Sequence, residues 1–394
     1  MTKKNFNILF LSSWYPNRVL PTLGNFVQKH AEAVALHSNV IALFVCSDIN
    51  CKKKNEITES TINNVLTINV YYKKINNTIP VISKLLKAKC YVQAHLKGLA
   101  FIKNNNYAID LVHLNILYPA GIIAWYLKKT KKIPYIATEH WTGYLSAKKN
   151  KLGWVQKILS KIIASNANVI TPVSKDLKDA MINIGFNSKY DIVYNAVDTA
   201  LFFPLANKRI KNKVKFIHVS TLDDSHKNIT GMLEVAAELS RQRIDFEFWF
   251  IGDGDFTSHV ETAKKLNIYD TFVYFEGTKT TLEIADIMRN ADCFVLFSNY
   301  ENLPCVIIEA LASGIPIVSS SVGGIGEHIN DDFGVLVPPM DNKALLISLS
   351  KMIDNLYLEK YDAQQLRDYA NNNFSYIKVS EKFHMIYHQV LAIA

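Results

Sequence analysis

The sequence of 394 residues has little of what marks several protein classes. Its 15 glycines and 11 prolines are too few for a collagen-like or low-complexity chain, and a hydrophobic content of 49% excludes a disordered one. Its five cysteines form no CxxC pair, so we expect reduced thiols in a cytoplasmic protein, without a disulfide framework or a zinc site. The longest uncharged runs, Leu111–Leu127 and Ala310–Gly326, contain polar residues or helix breakers, so we expect neither to span a membrane.

Charge is distributed unevenly along the chain. Residues 1–206 carry 26 Lys and Arg against 10 Asp and Glu, a net charge of +16, whereas residues 207–394 carry 18 against 25, a net charge of −7. A basic surface attracts an anionic membrane or a nucleic acid. Because no nucleic-acid-binding motif accompanies the charge, we expect an anionic membrane surface as a partner and no nucleic acid. A general compositional bias toward lysine is the alternative, but it does not explain the acidic second half.

Short apolar runs alternate with helix-length amphipathic segments along the whole chain. This alternation predicts an α/β fold class with parallel sheets, and the length suits two Rossmann-like, doubly wound domains. We expect an N-terminal domain over residues 1–203 and a C-terminal domain over residues 204–377. A helix over residues 378–394 could pack on either domain, and we assign it to the first. The predicted strands are Asn7–Leu11, Asn39–Val45, Val65–Val70, Leu111–Leu114, Tyr135–Thr138, Val169–Pro172, Lys215–Val219, Glu247–Ile251, Thr271–Glu276, Cys293–Phe297, Pro316–Ser319 and Gly334–Val337.

Three further segments are open to two interpretations. The stretch Asp48–Asn64 is rich in lysine and asparagine and predicts a surface loop or a hairpin. The predicted helices Ser83–Lys103 and Leu145–Ala164 combine apolar stripes with lysines, and Trp154 adds an aromatic ring to the second. Each helix could be a core element with a solvated lysine face, or it could lie on an anionic membrane.

The segment from Phe297 to Pro338 reads FSNYENLPCVIIEALASGIPIVSSSVGGIGEHINDDFGVLVP and has the densest chemical signal. A strand is predicted to end at Phe297, and a helix to begin with Pro304 in its first turn and to end before Gly314. The free N–H groups of such a helix start suit a phosphate, and carboxylates can accept paired sugar hydroxyls. Glu301 alone could be a solvated loop charge, and Glu309 alone a charge on a helix surface. Glu309, however, lies among apolar residues, where a charge without a partner is unfavourable.

Three further patterns bear on whether the chain binds a metal, binds NAD or is a serine hydrolase. Asp253-Gly254-Asp255 imitates a metal-binding DxD, but it follows a predicted strand of the second domain, so we expect no metal site. Neither Gly252-x-Gly254 nor Gly323-Gly324-x-Gly326 has the GxGxxG spacing after a first strand, which disfavours NAD. No nucleophile elbow of a serine hydrolase is present in the sequence.

The spacing Glu301-x7-Glu309, followed by EALASGIPIVSSSVGGIGE, resembles the signature of retaining glycosyltransferases of family 4. Further segments resemble that family in the same order along most of the chain, namely SSWYPNRVLPTLGNFVQKHAEAVA, TEHWTGY, TPVSKDL, YNAVDTALFFP and FIGDGDF. The resemblance implies a GT-B fold, in which two Rossmann-like domains face a cleft. It assigns the nucleoside diphosphate sugar to the second domain and the acceptor to the first.

The resemblance also implies roles for individual residues of the second domain. Glu309 resembles the glutamate that binds the nucleotide ribose, and Glu301 the one that contacts the donor sugar next to the reacting centre. Lys227 is the expected cation for the diphosphate. The backbone N–H groups of a loop are expected to face the donor, and the segment Glu276–Lys279 is expected near the base; the residues concerned are Asn302, Leu303, Pro304, Gly277 and Thr278.

Two residues of the first domain complete the expected donor site. Gly24 lies in the loop that closes over the diphosphate, where a side chain would block close approach. His140 matches a histidine near the donor sugar and phosphate, although a polar residue at a strand end beside Trp141 is the alternative. The resemblance thus gives Glu301, His140 and Lys227 as the catalytic residues.

The chain departs from the family's pattern before Lys227. The usual pattern is a glycine-arginine-leucine turn with a lysine five residues beyond the arginine. Here Thr221 stands at the arginine position, and Lys227 comes six residues later. One of two phosphate cations is therefore missing or replaced, and His226 could substitute for it.

The sequence as a whole predicts a retaining glycosyltransferase that uses front-side attack. It would move a sugar from a nucleoside diphosphate sugar to a saccharide or lipid-linked saccharide in bacterial surface polysaccharide or glycolipid synthesis. We expect no cofactor or metal, and a cytoplasmic protein that is peripheral on the inner face of the plasma membrane. The alternatives are a GT-B nucleotide-sugar epimerase and a non-catalytic module that binds nucleotide sugars or membranes.

Overall fold

The computed structural model describes residues 6–75, 80–145, 153–206 and 212–393. They form two compact units. Unit 1 comprises the chain up to Val173, Lys178–Tyr194, and the chain from Tyr376 onward. Unit 2 comprises Ser174–Leu177 and Asn195–Ser375. Part of the predicted helix Leu145–Ala164, and residues 207–211 next to the predicted domain boundary, lie outside the described residues.

Unit 1 is built on a sheet with the strand order β3-β4-β2-β1-β5-β6-β7. All neighbouring strands are parallel except β3 and β4. The strands are β1 (Asn7–Ser12), β2 (Asn39–Asp48), β3 (Asn55–Ile62), β4 (Val65–Lys73), β5 (Leu111–Asn115), β6 (Tyr135–Glu139) and β7 (Ile170–Pro172). The helices between them are α1 (Asn25–Val34), α2 (Pro80–Asn104), α3 (Gly121–Lys131), α4 (Trp154–Asn166) and α5 (Lys175–Asn183). The central strands β5 and β6 are buried along their whole length, as expected for a parallel sheet covered on both faces.

The segment predicted as a surface loop or a hairpin contains one arm of a hairpin. β3 pairs antiparallel with β4, and Asn63 and Asn64 connect them with φ values of 49° and 62°. A two-residue turn with both residues in the left-handed region matches the right-handed twist of the strands. β3 is mostly exposed, which explains why no apolar alternation marked it in the sequence.

Unit 2 is built on an all-parallel sheet with the strand order β10-β9-β8-β11-β12-β13. Its strands are β8 (Val214–Ser220), β9 (Phe246–Gly252), β10 (Val273–Glu276), β11 (Cys293–Leu296), β12 (Ile317–Ser320) and β13 (Gly334–Val337). Its helices are α6 (Asp224–Lys227), α7 (Ile229–Ser240), α8 (Thr257–Lys265), α9 (Thr281–Asn290), α10 (Cys305–Ala312), α11 (Asn342–Tyr357) and α12 (Ala363–Phe374). The strand order reverses between β8 and β11, and such switch points of doubly wound sheets are where ligands bind.

The last helix of the described chain, α13 (Tyr376–Ile393), belongs to unit 1. Its Tyr387 hydroxyl forms a 2.6 Å hydrogen bond with Nδ1 of His113 on β5. Its Phe383 packs edge-on against His30 of α1, and its Tyr376 hydroxyl donates to Oε2 of Glu32 at 2.9 Å. These contacts fix α13 on unit 1 through buried rings rather than through surface charges alone.

The two lysine-rich helices differ from their prediction in extent. α2 spans 25 residues and exceeds the predicted Ser83–Lys103 at both ends. α4 begins only at Trp154, and Leu145 instead follows the short 3₁₀ turn Thr142–Tyr144. Leu152, predicted on the apolar stripe of this helix, and Lys149, predicted away from that stripe, lie outside the described residues. No helix in the described ranges is both long and apolar enough to cross a membrane.

Candidate functional site

The candidate site of unit 2 lies at the switch point, where the loops after β8 and β11 meet. Backbone N–H of Asn299 donates to the carbonyl of His226 at 2.8 Å, and the Asn299 side chain donates to the carbonyl of Ser225 at 3.1 Å. The imidazole of His226 stacks on the ring of Tyr300 with 4.2 Å between centroids. Its Nε2 donates to the Tyr300 carbonyl at 2.8 Å, so the two loops form one surface.

Lys227 and Glu301 form a buried ion pair at this edge. Nζ of Lys227 lies 2.5 Å from Oε1 of Glu301, and their side chains are 10% and 7% exposed. The Ser298 hydroxyl donates to the same oxygen at 2.8 Å, and Nε2 of His226 lies 3.4 Å from it. Burial raises the pKa of Glu301, but Lys227 and His226 lower it by more than burial raises it. The resulting pKa is about 2. The carboxylate is therefore ionised at neutral pH, next to a buried cation.

The loop that contains Gly323 and Gly324 packs against the backbone that follows Glu301. Asn302 presents its carbonyl to the N–H of Gly324 at 2.8 Å, and Leu303 presents its carbonyl to Nδ2 of Asn195 at 2.6 Å. A Cβ at Gly323, whose φ is 56°, would lie 2.0 Å from the Glu301 carbonyl oxygen. Because C=O and N–H of a trans peptide point in opposite directions, the N–H of Leu303 points away from Gly324.

The helix α10 begins one residue later than predicted. Pro304 is its N-cap residue and lies outside the first helical turn. It has no N–H group, so it cannot contribute the backbone donor that the resemblance implied for the loop. Glu309 lies on the second turn of α10 and is only 5% exposed. Gly314, with φ of 68°, follows the helix end as predicted.

The predicted base-side residues lie farther along the same edge. Gly277 and Thr278 are exposed and follow β10, the edge strand, so β9 separates them from β8. A Cβ at Gly277 would meet no atom within 4 Å, which leaves open space there. Lys279 pairs with Glu276 at 2.8 Å, and Thr280 caps α9 through a capping box with Glu283.

Thr221, at the position of the missing arginine, starts a tightly held loop. The next residue, Leu222, has φ of 54°, and its N–H donates to Oγ of Ser220 at 3.0 Å. His218 contacts that hydroxyl through Nε2 at 2.7 Å, and His259 bonds the Leu222 carbonyl through Nε2 at 3.1 Å. Burial lowers the pKa of His218 to about 3, so this support is neutral.

The two predicted residues of unit 1 lie on loops at the carboxyl edge of its own sheet. Gly24 is the N-cap residue of α1 with φ of 69°, and a Cβ there would lie 2.6 Å from the carbonyl of Trp14. The fold itself therefore demands glycine at this position, independently of any ligand. His140 follows β6, is buried, and its ring lies 4.6 Å from the ring of Phe26 and 5.2 Å from that of His30.

Sequence reasoning missed Glu139, the residue before His140. It is fully buried, and its Oε1 accepts the N–H groups of His140 and Trp141, both at 2.9 Å. Its Oε2 accepts the N–H of Leu117 at 3.0 Å. Burial raises the pKa of Glu139, these three hydrogen bonds lower it, and the result is about 7. The available signal was an acidic residue that ends an apolar strand.

Potential metal ligands do not cluster in the described parts of the chain. No group of three or more His, Cys, Asp or Glu side chains there is arranged to hold a metal ion. The Asp253-Gly254-Asp255 segment forms the turn after β9. Gly254 has φ of 107° in this turn.

Comparison with known proteins identifies the family. Residues 204–372 match the model of the glycosyl transferases group 1, and residues 73–201 match that of glycosyltransferase family 4. An uncharacterized glycosyltransferase of Methanocaldococcus jannaschii is 24% identical over 324 residues, which cover 82% of this chain and 87% of the relative.

Two solved structures share the fold over nearly the whole chain. Sucrose-phosphate synthase from Thermosynechococcus elongatus has a TM-score of 0.77 at 19% identity, with 99% of this chain and 100% of that chain covered. HepE of Anabaena in complex with UDP has a TM-score of 0.71 at 16% identity, with 98% and 100% covered. The two glycosyltransferase family models, which match residues 73–201 and 204–372, favour a transferase over the epimerase and the binding module. The chain belongs to the group 1 glycosyltransferases of the family 4 type, with the GT-B fold of two Rossmann-like units.

Proposed function

We propose that this glycosyltransferase takes its sugar from a nucleoside diphosphate sugar bound by unit 2. The observation that carries the proposal is the buried pair of Lys227 and Glu301 at the switch point. An ammonium group there can neutralise a diphosphate, and a fixed carboxylate can accept sugar hydroxyls. HepE, which shares the fold, is described in complex with UDP, which supports a donor of this class.

The proposed donor runs along the carboxyl edge of the second sheet. Adjacent strands lie about 4.8 Å apart, so the loop after β10 lies roughly 10 Å from the loop after β8. This spacing suits a base near Gly277 and Thr278 when the diphosphate lies at Lys227. The ribose is assigned to Glu309, and the transferred sugar to Glu301. Asn302, the N–H of Leu303 and the start of α10 complete the phosphate side.

The state of Glu301 favours a front-side mechanism with retention. A carboxylate with a pKa of about 2 that is bound by Lys227 and Ser298 is a weak base and a poor acceptor for a proton. We therefore assign the acceptor's proton to an oxygen of the departing diphosphate. The bond from the anomeric carbon to the diphosphate breaks while the acceptor oxygen bonds to the same face. Lys227 stabilises the charge that grows on the leaving group.

Gly24 and His140 of unit 1 are assigned to the same donor, as the family resemblance implies. Gly24 would lie against the diphosphate, and His140 would contact the donor sugar and phosphate. His226 is the candidate for the second phosphate cation in place of the missing arginine, because its Nε2 reaches the same carboxylate oxygen as Lys227.

The proposed acceptor is a saccharide or a lipid-linked saccharide at the inner face of a bacterial plasma membrane. This proposal rests on the basic first half and on the outer face of α4. Trp154 is 76% exposed, and Val155, Ile158 and Ile162 are exposed beside it. Lys157 and Lys161 are exposed on the same helix. Apolar side chains flanked by lysines suit the interface of an anionic membrane.

The donor is tested by thermal unfolding with UDP, GDP, ADP, CMP and their common sugar conjugates, with and without Mg²⁺. We expect one nucleotide family to raise the Tm without metal, because a ligand of the native state stabilises it. Glu309→Ala should weaken that nucleotide at least tenfold in calorimetric titration. Unchanged affinity would contradict the ribose role, and no Tm shift with any nucleotide would contradict the proposed donor.

The membrane part of the proposal has a separate test. Sedimentation with vesicles that contain phosphatidylglycerol should pull down the wild-type chain, and less of it in high salt. A Trp154→Ser, Ile158→Ser variant should remain in the supernatant. Equal sedimentation of the two proteins would contradict a role for α4.

A further inference from the structure

Three loops follow β1, β5 and β6 at the carboxyl edge of the unit 1 sheet. Because β2 and β5 flank β1 on opposite sides, the strand order reverses here as it does in unit 2. Two polar side chains join these loops. Oγ of Ser13 donates to the carbonyl of Ile116 at 3.1 Å and accepts the N–H of Ala120 at 3.0 Å. Glu139 joins the second loop to the third through Leu117, His140 and Trp141.

The three amides bonded by Glu139 need an acceptor on both carboxylate oxygens. An ionised carboxylate offers lone pairs on both, whereas a protonated acid or an amide turns one position into a donor. A donor at Oε2 would face the N–H of Leu117, and a donor at Oε1 would face the two amides of the His140 turn. The three hydrogen bonds are therefore strongest while Glu139 carries its charge.

We propose that Glu139 is a positioning residue of the transferase reaction, whose ionised carboxylate fixes the His140 turn against the loop of Leu117. The proposal rests on the function proposed for His140. Glu139 itself touches backbone, so it acts through the position of the His140 ring. The His140 ring packs against the rings of Phe26 and His30, so a shift of the turn would change the orientation of the His140 ring.

The surroundings of Glu139 make this support sensitive to pH. His140 adjoins Glu139, the His30 ring lies 5.2 Å from the His140 ring, and the charge of Glu139 acts on Tyr144. Backbone amides are the groups that lower the pKa of Glu139 against its burial. Burial lowers the pKa of His30 to about 4, so that ring is neutral at physiological pH. Burial raises the pKa of Tyr144 well above its usual value, so the phenol is neutral too. Of Glu139, His30 and Tyr144, Glu139 is the one whose pKa lies near 7.

The first test is a pH profile of kcat for the wild type and Glu139→Gln, with the donor found by thermal unfolding. We expect a wild-type limb that rises with pH with a midpoint near 7, and its loss in the variant together with a kcat lowered about tenfold or more. A variant that keeps the limb would overturn the proposal.

A double-mutant cycle tests whether Glu139 acts through His140. His140→Ala removes the ring but keeps the backbone amide. In that background we expect Glu139→Gln to lower kcat less than twofold further, because the position of an absent ring no longer matters. Independent, multiplying effects of the two substitutions would overturn the proposal.

Amide chemical shifts of the wild type supply a readout that needs neither a folded variant nor turnover. The N–H signals of Leu117, His140 and Trp141 should titrate together with a midpoint near 7. Separate titrations, or none between pH 5 and 9, would overturn the proposal. If these signals titrate together while no nucleotide sugar is turned over, the proposed donor chemistry fails and the charge-dependent turn stands.

Discussion

Glu139 of unit 1 and Glu301 of unit 2 are both buried near the carboxyl ends of the strands of their sheets, but their pKa values are shifted in opposite directions. Glu139 of unit 1 is fully buried, and Glu301 of unit 2 is 5% exposed. Glu139 accepts three backbone amides, and its pKa is raised to about 7. Glu301 accepts Lys227 and Ser298, and its pKa is lowered to about 2. Burial is similar for the two carboxylates, so their different partners cause the opposite shifts of the pKa.

The difference shows that a neighbouring cation can lower a carboxyl pKa by more than burial raises it, whereas three backbone amides cannot. Three amides offset only part of the cost of removing the Glu139 carboxylate from water. One ammonium at 2.5 Å, with an imidazole at 3.4 Å, more than offsets that cost for Glu301. Unit 2 therefore holds a constant charge at its site, whereas unit 1 holds one that titrates near neutral pH.

The largest expected effect comes from removing the ammonium group that pairs with Glu301. Lys227→Met should raise the pKa of Glu301, lower kcat about 10²–10³-fold and destabilise the chain by about 3 kcal/mol, because a buried charge loses its partner. Turnover and urea unfolding measure these effects, and Lys343→Met on the exposed side of α11 is the control. Wild-type turnover in Lys227→Met would contradict the cation role.

A smaller effect is expected from moving Glu301 without touching its charge. Gly323→Ala places a Cβ 2.0 Å from the Glu301 carbonyl oxygen, so the loop must shift and kcat should fall about tenfold to 10²-fold. Gly326→Ala is the matched control in the same 3₁₀ segment, because its Cβ would meet nothing closer than 3.6 Å. Similar kcat values for the two variants would show that the loop position is unimportant.

The pH dependence of stability sharpens the comparison further. The folded-state pKa of Glu139 lies above its ordinary value of 4.5, so its contribution to stability is present at low pH and is lost as the pH rises toward 7. The unfolding free energy of the wild type minus that of Glu139→Gln should fall by about 2–3 kcal/mol between pH 5 and pH 8.

Subtracting the variant removes the opposite slope from buried histidines such as His30 and His218, whose lowered pKa values make stability rise with pH. Glu301, with a pKa of about 2, adds no slope in this window. Urea unfolding at both pH values measures the difference. A difference independent of pH would mean that Glu139 is already charged at pH 5.

The smallest expected effect comes from the imidazole near Glu301. In His226→Gln the side-chain amide can keep the hydrogen bond to the Tyr300 carbonyl, but the imidazole no longer lies beside the carboxylate. We expect nucleotide affinity to fall roughly threefold to tenfold, because the group that reaches the same carboxylate oxygen as Lys227 is lost. Calorimetric titration tests this, with His388→Gln on the exposed side of α13 as control. A loss no larger than that of the control would show that His226 does not contribute to nucleotide binding.

The sequence predicts one of the two glutamates and not the other. Glu301 is visible because a second glutamate follows at a fixed spacing and a helix start follows at once. Glu139 is a single acidic residue beside a histidine, and its three donors are backbone groups from two loops, which no side-chain pattern reveals. The alternation of apolar runs predicted every parallel strand, but the exposed β3 has no such alternation, and a hairpin and a loop remained equally open there.

The position of α13 has a consequence for how the chain folds during synthesis. Asn195–Ser375 of unit 2 emerges from the ribosome before α13 does, yet α13 supplies the partner of His113 inside unit 1. Unit 1 therefore cannot complete its packing until α13 has been synthesised, and the apolar face around His30 and His113 stays uncovered until then. Unit 2 can finish folding first although most of it follows unit 1 in the sequence. A chain that ends before Tyr376 would leave the apolar face exposed, where chaperones could bind it.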